Sequence, residues 1–334
     1  MRFLRYFFII LLAAALIWLV PSEKALGEAA EEQPLGEINP IPMDQAAMDP
    51  VDPQYYLSDT LYEDPSLRVE ISSGRAFDTD YLVLRVKIAD PSQLRSHVEK
   101  SSDGNYGDRI ASRLNAVLAI TGDTHRTNKD GVKGKYVIRQ QKEIMVTNWK
   151  DKGYFDILFI DSAGDLHVLK APTREECDAF MESHDVINTF SFGPALVVDG
   201  VVQGRPADHS RRNDRANGVG WDKRAQRLSF AQTGPLEYMV VVTGGPDNPK
   251  CKGMTMDEYI EVILREGSPS VVYNLDGGNS AWVVFNNQKI NLFGRSLTAG
   301  KRRIEDMIYF ASAWHAYPVA EPEESTESEE VGQP

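Results

Sequence analysis

The stretch 271–285, VVYNLDGGNSAWVVF, constrains this chain more than any other. Two apolar runs flank Asp276-Gly277-Gly278-Asn279-Ser280, and the first is apolar enough to be a buried central strand. Asp276 stands at its end, where a carboxylate is held rigidly. Gly277 and Gly278 permit positive φ and let a ligand approach the backbone closely. Successive N–H groups of such a turn can also form a nest for an anion such as phosphate. A plain hairpin is the competing reading, since Asp-Gly is a common two-residue turn signal. Either way, the chain must build a sheet around this segment.

Further strands bear this out as an expectation. Residues 81–88 (YLVLRVKI) alternate as a half-buried strand does, and 116–120 (AVLAI) read as a fully buried one. Short strands are expected at 136–139, 144–147, 156–161 and 166–169, then at 188–198, 228–232 and 237–243. Thr173 with Glu176, and Thr255 with Glu258, are capping boxes that open helices. The second helix carries Met256, Tyr259, Ile260, Ile263 and Leu264 at helical spacing and stops at Gly267. Helices and strands interleave without an internal repeat. The expected fold is therefore α/β or α+β, a single mixed-sheet domain with flanking helices over residues 65–317.

The ends differ in character. Arg2 and Arg5 precede an apolar run over 6–20, so residues 1–27 read as a signal peptide or an uncleaved membrane anchor. Both place the domain outside the cytoplasm, at the cell surface or beyond, with membrane contact only through this segment. Residues 28–64 are rich in proline and acid and read as a linker, and 318–334 as a disordered acidic tail. Net charge is −13. Ten of those negative charges lie in the first fifty and last fourteen residues, leaving the middle nearly neutral. The acidity excludes a nucleic-acid binder, which needs a basic face, but it does not exclude a phosphate-bearing ligand.

Two more segments could carry chemistry. Gly122-Asp123-Thr124-His125 follows a buried strand, and its carboxylate and imidazole suit acid/base work. The loop His209-Ser210-Arg211-Arg212-Asn213-Asp214-Arg215 gathers guanidinium groups that can clamp a phosphate. Cys177 and Cys251 are the only cysteines. Cys177 reads as a small core residue, and their spacing does not fit zinc. No cofactor is required, although Asp123 and Asp276 together could hold Ca²⁺.

In this order the segments resemble the phosphodiester glycosidase family, which includes the lysosomal uncovering enzyme and exported bacterial proteins associated with exopolysaccharide. Ala119-Ile120-Thr121-Gly122-Asp123 is similar to the family's AINGD, and residues 134–139 (GKYVIR) to its next strand. Residues 191–198 (SFGPALVV) match SFGPALV, and Lys252-Gly253-Met254-Thr255 resembles the SKG[LM]TL helix start. Residues 274–280 (NLDGGNS) resemble NLDGGGS, the most specific of these motifs. The resemblance spans about 90–312.

It implies hydrolysis of a sugar-1-phosphodiester at the anomeric carbon. Asp123, Asp276 and Arg215 are the implied catalytic residues. Thr121, Gly122, His125, Arg212, Gly277, Gly278, Asn279 and Ser280 are the implied substrate contacts. The partner is a phosphate-bearing glycan of the cell surface or an exopolysaccharide. Some loops depart from the family: NPRTAIG becomes Asn213-Asp214-Arg215-Ala216-Asn217-Gly218-Val219-Gly220, and VDGR becomes Val242-Thr243-Gly244-Gly245. Because those loops border the site, a catalytically inactive glycan- or wall-binding protein on the same scaffold is the alternative. A metal-dependent phosphodiesterase is the third.

Overall fold

The computed structural model describes residues 36–317 except 48, 100–103, 124–133, 152, 154, 206–219 and 294–301. Every strand pairing of the named sheets is antiparallel. Three α-helices accompany them among the described residues: Gly107–Arg113, Arg174–Ser183 and Met256–Glu266. The architecture is therefore mostly β, of the α+β kind. Hairpins make about half of these pairings, and longer connections bring the other neighbours together.

The largest sheet has nine strands. From one edge they are Val201–Val202, Ala195–Val198, Val271–Asn274, Leu228–Gly234, Glu237–Thr243, Thr79–Ile88, Leu67–Ala76, Leu61–Glu63 and Tyr56–Ser58. A five-stranded sheet runs Gln288–Lys289, Val283–Phe285, Leu118–Thr121, Asp306–Phe310, Leu94–Val98. The two sheets share one core, in which Phe310 of the smaller sheet packs on Phe230 and Tyr238 of the larger at 6.2 and 5.6 Å between ring centroids.

Strand Leu118–Thr121 shows why its sequence is apolar without alternation. Leu118 and Ile120 face the shared core, while Ala119 faces a second cluster with Ile110, Ala111 and Trp282 under helix Gly107–Arg113. Covered on both faces, the strand has no polar side to advertise. Helix Met256–Glu266 covers the large sheet's other face with Met256, Tyr259, Ile260 and Ile263, and the Tyr259 hydroxyl donates to the Val241 carbonyl at 2.6 Å. Both expected capping boxes form, with Glu176 N–H to Thr173 Oγ1 at 3.2 Å and Glu258 N–H to Thr255 Oγ1 at 3.3 Å.

Three readings need correction. The 271–285 segment is not a hairpin. Val271–Asn274 pairs with Ala195–Val198 and Leu228–Gly234, whereas Val283–Phe285 pairs with Leu118–Thr121 and Gln288–Lys289. The glycine turn is thus a crossover between the two sheets. Secondly, the single strand expected over 188–198 is broken at the cis Gly193–Pro194 bond, into Val186–Phe190 and Ala195–Val198 in different sheets. Thirdly, part of the expected linker is folded, because the compact unit runs Gly36–Ala316. Tyr62 packs on Tyr55 and Tyr56, Tyr56 packs on Phe285, and Arg95 Nη2 donates to the Pro42 carbonyl at 2.9 Å. Proline and acid content concealed these anchors. The segments 1–27 and 318–334 lie outside the described residues.

Candidate functional site

The sheet crossover brings Asp276 beside the end of strand Leu118–Thr121. The Thr121 hydroxyl donates to the Ser280 carbonyl at 2.6 Å and accepts from Trp282 N–H at 2.9 Å, stitching the two loops together. Gly277 has ordinary negative φ, yet a Cβ there would stand 2.5 Å from the Gln226 carbonyl oxygen. Gly278 does use the left-handed region, at φ 55°. The turn's amides are partly spent: Gly278 N–H donates to Gln226 O at 3.0 Å and Ser280 N–H to Gly277 O at 3.1 Å. The expected anion nest is therefore reduced, because those donors hold the turn's own shape.

Asp276 is half-buried, and desolvation pushes its carboxyl up to about 6. The nearby Asp123 charge adds to the rise, while the Ser280 hydrogen bond, Arg302 and Lys135 oppose it. Asp123 is gripped differently. Its Oδ1 accepts from Lys135 Nζ at 2.9 Å and its Oδ2 from Ser191 N–H at 2.8 Å. Both members of this ion pair are fully buried. Lys135 also donates to the Ser191 carbonyl at 2.6 Å and lies 4.5 Å from the Phe155 ring centroid. The two carboxylates thus stand in contrasted environments, one paired with a buried lysine and the other raised toward neutrality by desolvation.

Asp276 lies between two cavities. One, of about 150 Å³, is bordered by Phe192, Lys223, Gln226, Arg227, Asn274 and Gly278. The other, about 30 Å³, is bordered by Asp123, Ser280, Arg302 and Arg303. Trp282 Nε1 donates to the Arg302 carbonyl at 2.8 Å and fixes that basic segment beside the carboxylates. Arg227 lies with its guanidinium on the carbonyls of Met254, Gly220 and Lys223, at 3.1, 2.9 and 2.6 Å.

The structure therefore assembles Thr121, Gly122, Asp123, Asp276, Gly277, Gly278, Asn279 and Ser280 in one place. His125, Arg212 and Arg215 lie outside the described residues. Sequence reasoning missed Lys135, Ser191, Arg302, and the buried pair Arg139–Asp306. A signal was present for two of them. Lys135 and Arg139 bracket the apolar run 136–138, and a cation at a buried position must be paired. No group of three or more His, Cys, Asp or Glu among the described residues is arranged to hold a metal. Ca²⁺ at Asp123 would have to displace the Lys135 ammonium.

The two-sheet α+β scaffold, with paired carboxylates between cation-bordered cavities, is similar in fold to known proteins. The catalytic domain of zebrafish N-acetylglucosamine-1-phosphodiester α-N-acetylglucosaminidase, auto-inhibited by its pro-peptide, has a similar fold. Its TM-score is 0.57 at 14% identity, over 75% of this chain and 85% of that one. A hypothetical protein from Synechocystis gives 0.47 at 13% identity, over 76% and 64%. No curated protein matches by sequence. The phosphodiester glycosidase family profile matches residues 114–311. The chain belongs to the phosphodiester glycosidase family.

Proposed function

We propose that this protein is an exported glycosidase that hydrolyses a sugar-1-phosphodiester bond in a cell-surface or exopolysaccharide glycan. One observation carries the reading: Asp276, with its carboxyl raised to about 6, stands at the cleft beside the Lys135-clamped Asp123. The phosphate leaving group is a stable anion and needs no proton to depart. Asp276 accordingly serves as general base. It takes a proton from water as the water oxygen bonds to the anomeric carbon and the bond from that carbon to the phosphate oxygen breaks, its electron pair leaving with the phosphate. Asp123, anionic, stabilises positive charge growing on the sugar ring. Arg302 and Arg303 attract the phosphate, with Arg212, Arg215 and His125 as further contacts.

Cationic charge comes from side chains in this scheme, so chelation should leave turnover unchanged, and loss of turnover on chelation would restore Ca²⁺ at Asp123 and Asp276. Export rests on the basic and apolar N-terminal 27 residues; among the described residues no helix is long and apolar enough to cross a membrane. The test is a screen of sugar-1-phosphodiesters with native protein and Asp276→Asn. Loss of a general base lowers kcat by about 10²–10⁴. Equal turnover by the variant refutes the role of Asp276. No turnover by native protein, with glycan binding in calorimetry, would establish the binding-protein alternative instead.

A further inference from the structure

We propose that Arg139 and Asp306 form a buried positioning pair that fixes the Gly122–Asp123 backbone and so aims the Asp123 carboxylate, an inference resting on the proposed role of Asp123. Asp306 opens strand Asp306–Phe310, and Met307 is in register with Thr121. Residue 306 therefore reaches just past the end of strand Leu118–Thr121, and it holds two successive amides there. Its carbonyl accepts from Gly122 N–H at 3.1 Å, and its Oδ1 accepts from Asp123 N–H at 2.9 Å. The fit is close enough to demand glycine, because a Cβ on residue 122 would lie 1.9 Å from Asp306 Oδ1.

The other carboxylate oxygen, Oδ2, accepts from Arg139 Nε at 2.8 Å. The guanidinium stacks 3.8 Å from the Phe190 ring centroid and donates to the Ile138 carbonyl at 2.8 Å and to that of Thr189. One residue further on, Ser191 N–H donates to Asp123 Oδ2. The pair thus ties together three strand ends, 118–121, 136–139 and 186–190, at the point where Asp123 emerges.

Stability alone does not explain such a pair. Desolvation offsets most of the attraction between buried charges, and apolar residues of similar volume often serve as well. Here Arg139 Nη2 is also buried without an acceptor among the described residues. What an apolar pair lacks is the acceptor for Asp123 N–H.

The double variant Arg139→Met/Asp306→Leu removes that acceptor while keeping the site filled. The expected result is a folded protein whose kcat falls about 100-fold, the scale of an ångström's misplacement, with KM nearly unchanged. Arg139→Gln/Asp306→Asn keeps an oxygen facing Asp123 N–H and should recover most of the lost kcat. Wild-type kcat in the folded Met/Leu variant would overturn the positioning role while leaving the proposed function intact. No turnover by native protein would overturn both. A second readout needs no variant. In the native protein the Asp123 amide should exchange with solvent as slowly as that of Ile120, and exchange at loop rates would overturn the inference even if both variants misfold.

Discussion

Replacing Asp276 with asparagine should stabilise the protein at neutral pH while removing its turnover. The carboxyl lies at about 6 in the fold against an ordinary 3.8, chiefly through burial. That difference corresponds to about 3 kcal/mol between its two protonation states. Because the folded value is the higher one, the proton binds more tightly to the native state. Below about pH 4 both states hold it, and there is no penalty. As pH rises from about 4 to 6 the unfolded chain releases it first, so stability falls; above about 6 the penalty is complete and constant. The asparagine side chain has no charge to bury and retains an oxygen for the Ser280 hydrogen bond. Thermal and urea unfolding of both proteins from pH 4 to 8 should show the curves meeting near pH 4 and separating by up to about 3 kcal/mol at pH 8. That is a gain of about 6 °C for a domain of this size. A variant less stable than native at pH 8, or an offset independent of pH, would refute the argument that desolvation sets this carboxyl.

Acting as a base, the same group should give kcat/KM that rises with pH through about 6 and then levels; a fall over that range would make Asp276 an acid instead. Lys135→Met leaves the Asp123 carboxyl buried without its cationic partner, and should cost about 3–5 kcal/mol in urea unfolding; a loss below about 1 kcal/mol would contradict the pair's geometry. Gly277→Ala drives a Cβ to 2.5 Å from the Gln226 oxygen, forcing the turn apart at about 1–3 kcal/mol, so wild-type melting and turnover would show that the turn can relax. Cys177 is free and buried, with its thiol pushed up to about 12. It should resist alkylation at pH 8 until the protein unfolds, and rapid labelling of the native protein would refute that burial.

Much of this was legible in short-range patterns. The capping boxes at Thr173 and Thr255, the alternating strand ending at Ile88 and the carboxylates at two strand ends each follow from residues within a few positions of one another. Local hydrogen bonds and the period of a pleat are short-range physics. The resemblance to the phosphodiester glycosidases also rested on such local strings. The folded arm before residue 65 was not legible, because Tyr56, on which Tyr62 packs, is anchored by Phe285, a partner more than two hundred residues away.

The sequence by itself therefore determined the capped helices, many of the strands, the family and the positions of two acids. Tertiary structure decided what the glycine turn is for and what each acid faces. Residues 276–280 have the local chemistry of a hairpin, and only the separate pairing of their flanking strands makes them a bridge between sheets. Asp123 and Asp276 are the same residue type, and neither string of neighbours distinguishes them. Lys135 comes to one from a different strand, and burial overtakes the other. Electrostatics depends on distance through space and on the water excluded, and both are fixed only when the sheets close on each other.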